Sequence, residues 1–290
     1  MASHEYKRLK LPPVPAVNVQ LSQSKQHHMK LDLYQIDAFT DKMFGGNPAC
    51  VVPLQHWLED ELLLKIAQEN AVAETAFFVL NEDRVHLSWF TPEIEMDLCG
   101  HATLATAHCL RTILFYPQDE IIFDTLSGDL RVTVENDQYI LDLPARMPTE
   151  TTLPEIIKNA LSIQPKEVYK SRDYLLVYKR EADIKNITIN RQIFDNINLD
   201  PGGVIVTSKG DNCDFVSRFF TPQASILEDP VTGSAHCSLI PFWASRLNKK
   251  SLLAFQLSHR MGKLNCLDNG ERVLISGQAK TYSVGSLWTE

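Results

Sequence analysis

The chain has 290 residues, 44% of them hydrophobic and 22% charged, the make-up of an ordinary soluble globular protein long enough for two domains. Its net charge of −8 is uneven: residues 1–28 carry four Lys or Arg against one Glu, a surplus of three, so the remainder stands at −11. An acidic body argues against nucleic acid as a partner, and no apolar run has the length of a membrane span. Residues 1–28, with Pro12, Pro13 and Pro15 ahead of a polar stretch, lack the apolar core of a secretory signal and read as a disordered or added leader; His27-His28 reads as exposed tail. Residues 31–39 alternate as a first strand, and Phe44-Gly45-Gly46-Asn47-Pro48 forms a turn before an apolar strand over 49–52. Leu58, Leu62, Leu63, Ile66 and Ala67 fall at helical spacing, and this helix ends near Asn70. Strands over 75–80 and 85–90 lead to a turn at Gly100 and a largely buried helix carrying Leu104, Ala105, Leu110, Ile113 and Leu114. Strands over 121–123, 128–135 and 139–143 close a first lobe, 29–143. A second lobe, 144–290, follows with a helix over 154–161, strands over 174–178, 203–207 and 215–220, and a helix over 234–247 kinked at Pro241. Strand-like segments over 255–258, 272–276 and 281–287 end the chain, the last of them able to cross back to the first lobe.

The two lobes echo each other. Phe90-Thr91-Pro92 precedes Cys99-Gly100-His101-Ala102-Thr103, and Phe220-Thr221-Pro222 precedes Asp229-Pro230-Val231-Thr232-Gly233-Ser234-Ala235-His236. Similar strands flank both copies, which implies an internal duplication with two lobes facing one another. With Gly100 set on Gly233, Cys99 matches Thr232, His101 matches Ser234, and Glu74 falls opposite the Pro201-Gly202 turn. The scaffold repeats while the polar residues differ, as a cleft for an asymmetric small molecule requires. Gly100 and Gly233 each open a helix whose free N–H groups and dipole favour an anion, so the paired starts suit a carboxylate. Around them Glu74, His101, Asp229 and Ser234 form a set suited to moving a proton on carbon.

The motifs Asn47-Pro48, Glu74-Thr75-Ala76-Phe77, Cys99-Gly100-His101-Ala102-Thr103 and Glu228-Asp229-Pro230-Val231-Thr232-Gly233-Ser234, in this order, resemble the phenazine-biosynthesis PhzF-like isomerase family from about Met29 onward. The resemblance implies an α+β fold like that of diaminopimelate epimerase, in which each of two similar lobes wraps a mixed sheet around a central helix, and a homodimer. It also implies Glu74 as the general acid/base, with His101 and Asp229 lining the substrate site. The expected reaction is a cofactor-independent isomerisation of a small carboxylate-bearing metabolite, with Asn47, Gly100, Gly233 and Ser234 binding the substrate. The alternative is a catalytically silent member that binds a metabolite or a protein.

Related epimerases and racemases use one cysteine from each lobe. Here Thr232 stands where the second would be, so a two-thiol mechanism is not available, and Cys99 reads as a small apolar filler. Ser234 lacks a His-Asp pair in any triad order, which disfavours a nucleophilic hydrolase. His101, His108 and His236 have no zinc spacing, so no metal is expected. The six cysteines form no close pairs and read as reduced thiols of a cytoplasmic protein.

Overall fold

A computed structural model describes residues 28–81, 84–199 and 202–289. The expected leader lies outside these residues except for His28, which is exposed. The first half runs β1 (Met29–Ala38), β2 (Asn47–Leu54), α1 (Asp60–Asn70), β3 (Glu74–Asn81), β4 (Arg84–Phe90), β5 (Glu95–Met96), α2 (Gly100–His108), β6 (Glu120–Thr125), β7 (Gly128–Glu135) and β8 (Gln138–Pro144). The second runs β9 (Thr149–Glu150), α3 (Glu155–Ala160), β10 (Glu167–Lys170), β11 (Tyr174–Val177), α4 (Glu181–Asn186), α5 (Arg191–Phe194), β12 (Val204–Lys209), β13 (Phe215–Phe220), β14 (Glu228–Asp229), α6 (Gly233–Leu247), β15 (Ser251–Gln256), β16 (Gly262–Asn269), β17 (Arg272–Gly277) and β18 (Ala279–Thr289).

The pairing repeats from one half to the other. In the first, β1-β2-β3-β4-β6-β7-β8 lie side by side, and β2–β3 and β4–β6 are parallel because α1 and α2 cross over between them. In the second, β10-β11-β12-β13-β15-β16-β17 repeat the order, with parallel pairs β11–β12 and β13–β15. The halves join where β8 meets β17, with Leu141 opposite Ile275 and Leu143 opposite Val273. The outer strands are exchanged: β9 follows β8 but pairs with β10, and β18 follows β17 but pairs with β1 over its whole length. This is a two-lobed α+β fold with one buried helix per lobe.

The central helices are apolar nearly all round because the sheets enclose them. Every residue of α2 is buried, as is α6 from Gly233 to Ala244. Several polar members have partners: Thr106 donates to the Ala102 carbonyl at 2.8 Å, and His108 contacts the Tyr139 hydroxyl and Thr281 Oγ1, each at 2.9 Å. Helix α6 continues through Pro241 without a break.

The structure differs from the sequence reading in several places. Helix α2 passes into a π-helical turn at Cys109–Ile113, beyond which Leu114 is 37% exposed rather than buried. Strand β15 occupies Ser251–Gln256, ahead of the expected 255–258. Strand β16 was not anticipated, although its alternate residues Gly262, Leu264 and Cys266 are buried. Finally, Thr75 pairs with Phe90 as Val204 pairs with Phe220, so the counterpart of Glu74 is Gly203 and not the Pro201-Gly202 turn, of which Pro201 lies outside the described residues.

Candidate active site

The two central helices begin against each other. Cys99 and Thr232, the residues before α2 and α6, are both extended, so Gly100 and Gly233 are the first residues of their helices. A Cβ on Gly100 would stand 3.0 Å from the Gly233 Cα, and one on Gly233 would stand 2.9 Å from the Gly100 Cα. Only glycine permits this approach. Gly100, His101, Gly233 and Ser234 all line one cavity of about 300 Å³, so both first turns offer their unpaired N–H groups and positive dipole ends to the same space.

Glu74, at the start of β3, stands on one wall, with His101 beside it in the first turn of α2. Nε2 of His101 lies 3.0 Å from Oε2 of Glu74, and their side chains are 3% and 13% exposed. The contact is off the line of a hydrogen bond, which leaves both atoms buried without a hydrogen-bond partner. Asp229, from β14, joins them: its Oδ2 accepts from Thr232 Oγ1 at 2.5 Å and its Oδ1 from Asn47 Nδ2 at 2.6 Å. The same Asn47 amide nitrogen lies 2.9 Å from the Val231 carbonyl and 3.0 Å from His101 Nδ1.

Asn47, expected to touch a ligand, is wholly buried and is not in the cavity wall. It sits behind the wall and ties His101 to Asp229. Its own turn is clamped from the other lobe: Arg260 donates to the Gly45 and Gly46 carbonyls at 2.9 Å each and to Asp37 Oδ1 at 2.7 Å.

Asp229 Oδ1 and the Val231 carbonyl accept from the Asn47 NH₂, and His101 Nδ1 stands 3.0 Å from the same nitrogen and 3.6 Å from the Cys99 sulfur. Burial alone would depress the imidazolium, but the Cys99 sulfur and the Glu74 carboxylate outweigh it and hold the His101 pKa well above the usual histidine range. Burial pushes the Asp229 carboxyl up to about 6, with Glu74 adding to the rise while His101 opposes it.

Glu74, Cys99 and His101 bring three donor atoms within 4.8 Å of one another, the one such group of metal-ligand type among the described residues. Burial pushes the Cys99 thiol up to about 11, and Asn47 already stands against one ring nitrogen while Glu74 faces the other. A cation there must displace a thiol proton and an amide contact, so the group suits proton transfer better than metal binding.

The opposite wall carries a residue that the motifs did not flag. Arg172, just before β11, lines the cavity and is the only Arg or Lys among its described lining residues. Its Nη2 donates to Ser234 Oγ at 3.0 Å. The repeat was the available signal: strand register sets Cys50 on Tyr174, so Arg172 stands where the first lobe has Pro48. Above the cavity, Thr91, Ile94 and Leu98 from one lobe face Thr221, Ser225 and Ile226 from the other, and the Ser225 amide donates to Glu93 at 3.3 Å.

The two-lobed α+β architecture, with one central helix per lobe, is the epimerase-like fold. A hydroxyproline epimerase from Agrobacterium vitis, solved with trans-4-hydroxy-L-proline, has the same fold, with a TM-score of 0.59 and 9% identity over 89% of this chain and 92% of that one. The sequence model for phenazine biosynthesis-like protein matches residues 36–285, and the chain belongs to this family. A PhzF-family phenazine biosynthesis protein from Enterococcus faecalis superposes with a TM-score of 0.84 at 43% identity, covering 89% of this chain and 99% of that one. A Pseudomonas aeruginosa protein named as an uncharacterized isomerase is 47% identical over 259 residues, which span 89% of this chain and 99% of the relative.

Proposed function

We propose that the protein is a cofactor-independent isomerase that moves a proton on a carbon of a small carboxylate-bearing metabolite. The observation that carries this reading is the Glu74 carboxylate held 3.0 Å from His101 Nε2, in a cavity whose floor is two helix starts. The first turns of α2 and α6 receive the substrate's carboxylate. Glu74 takes a proton from the adjacent carbon and returns it to another position or the other face, while His101 and Asp229 steady the substrate's polar groups. Charge that develops on the carboxylate side is met by dipoles already in place. Related proteins named as isomerases support this class of reaction.

The test is incubation with a panel of amino and hydroxy acids in heavy water, followed by mass spectrometry for deuterium on carbon. Exchange by the wild type and its fall by about 10²–10⁴-fold in Glu74→Gln is the expected result. Undiminished exchange in that variant rejects the role of Glu74, and ligand binding without any exchange favours a silent binding protein. The reading includes a reducing, cytoplasmic setting, which six unpaired cysteines fit, and a homodimer, which light scattering tests. Among the described residues, no helix is long and apolar enough to cross a membrane.

A further inference from the structure

The cavity has opposite electrical ends. Glu74 comes from the first lobe and Arg172 from the second, with Asp229, on β14 of the second lobe, bonded across to Asn47 of the first. The loop that carries Arg172 is fastened to α6 at two points one turn apart, Arg172 Nη2 to Ser234 Oγ at 3.0 Å and Ser171 Oγ to Ser238 Oγ at 2.7 Å. This guanidinium is held in place before any ligand arrives.

Its charge is incompletely met. Among the described residues the one carboxylate paired with it is Asp173, which lies 3.5 Å from Arg172 Nε and also accepts the Gly203 amide at 2.9 Å. Asp173 is 1% exposed and has a second guanidinium, that of Arg146, acting on it as well. Arg172 Nε and Nη1 and Arg146 Nη1 are buried without hydrogen-bond acceptors. Among the described residues, two guanidinium groups thus share one buried carboxylate, a surplus of one positive charge beside a partly closed cavity. A buried charge of this kind is costly unless an anion joins it.

We propose that Arg172 is the charge-reading half of the ligand's acid subsite, so that the protein selects free carboxylic acids over their amides and esters and orients the acid group toward the second lobe. Arg172 and the first turn of α6, latched through Ser234, grip the acid group together, which leaves the neighbouring carbon toward Glu74. The inference rests on the isomerase reading only for that last placement; the preference for an acid stands without it. The first lobe has no matching cation, since Pro48 occupies the equivalent place. The ligand is therefore bound in one orientation.

Benzoate and benzamide are suitable probes, because Ile94, Leu98 and Phe219 give the cavity apolar wall for a ring. Titration of the full chain, followed by ligand-observed NMR, is expected to show benzoate binding at least about tenfold more tightly than benzamide. Arg172→Gln should bring the ratio to within about threefold, whereas Arg131→Gln, in an exposed ion pair with Glu120 away from the cavity, should keep it. A wild type that does not distinguish the pair, or an Arg172→Gln protein that still does, overturns the proposal. Should Arg172→Gln fail to fold because Asp173 loses its partner, Ser234→Ala removes the latch alone and should lower the ratio at least about threefold; an unchanged ratio overturns the proposal. Deuterium exchange in Glu74→Gln tests the proton shuttle separately, so either idea can fail alone.

Discussion

Adding one methyl group at the meeting of the central helices separates the lobes. In Gly233→Ala the new Cβ stands 2.9 Å from the Gly100 Cα and 3.6 Å from its N and C atoms. Carbon atoms in comfortable contact are about 3.5–4.0 Å apart, so one helix start must retreat by roughly 0.5–1 Å. Neither glycine has a positive φ, so relief of backbone strain does not enter. Both helix starts are backbone in the cores of sheets that are joined by β8 and β17, and such overpacking costs about 1–3 kcal/mol, offset by at most about 1 kcal/mol from the better helix propensity of alanine. The expected net loss is about 1–2 kcal/mol, and a melting temperature lower by about 2–8 °C. Gly100→Ala should behave alike because its Cβ meets the Gly233 Cα at 3.0 Å. The double variant should lose more than the two together by over about 0.5 kcal/mol, because both methyl groups compete for one gap. Urea denaturation measures all three, with Gly285→Ala as the control: its Cβ meets nothing within 4 Å, so it should stay within about 0.5 kcal/mol of wild type. Either site variant at wild-type stability, or additive losses in the double, would refute direct contact between the helices.

Arg260→Met strands Asp37, a carboxylate only 1% exposed, and should cost about 3–5 kcal/mol in urea unfolding; adding Asp37→Asn should recover most of it. A loss below about 1 kcal/mol in the single variant would show that the pair does not hold the Asn47 turn. The Asp229 carboxyl titrates near 6 in the fold against an ordinary 3.8, so the native state keeps a proton that the unfolded chain has released. Stability should fall as pH rises from about 4 to 6 and then level, by on the order of 3 kcal/mol relative to Asp229→Asn, which lacks this titration. Parallel pH profiles of wild type and variant would contradict that assignment.

The repeat was legible because duplication leaves the same strand-turn-helix cadence twice, and close backbone approach leaves glycine as its mark. Glu74, His101, Asp229 and Ser234 could be placed together for that reason: each follows a repeated landmark. Asn47 was placed near them but given the wrong task, since a side chain beside a turn looks the same in sequence whether it faces a cavity or props the wall behind it. Arg172 and Arg260 were missed because each sits in an irregular loop, and their partners are distant in the chain: Ser234 is 62 residues from Arg172, and Asp37 is 223 from Arg260. Helices α4 and α5 have six and four residues, too few turns for a periodic pattern. Strand β16 did alternate, but its outward residues Lys263, Asn265 and Asn269 give it the polarity of a loop.

The exchange of outer strands sets the order of events during synthesis. The edge of the first lobe is closed by β18, so β1 has no neighbour on that side until the strand that follows β17 has left the ribosome. The nascent N-terminal half must wait with an open flank, and a gene cut after β8 encodes a fragment with an unpaired β1, while the remainder carries β18 with nothing to pair with. Completion of the protein from both ends at once is the price of building a cleft that neither half owns.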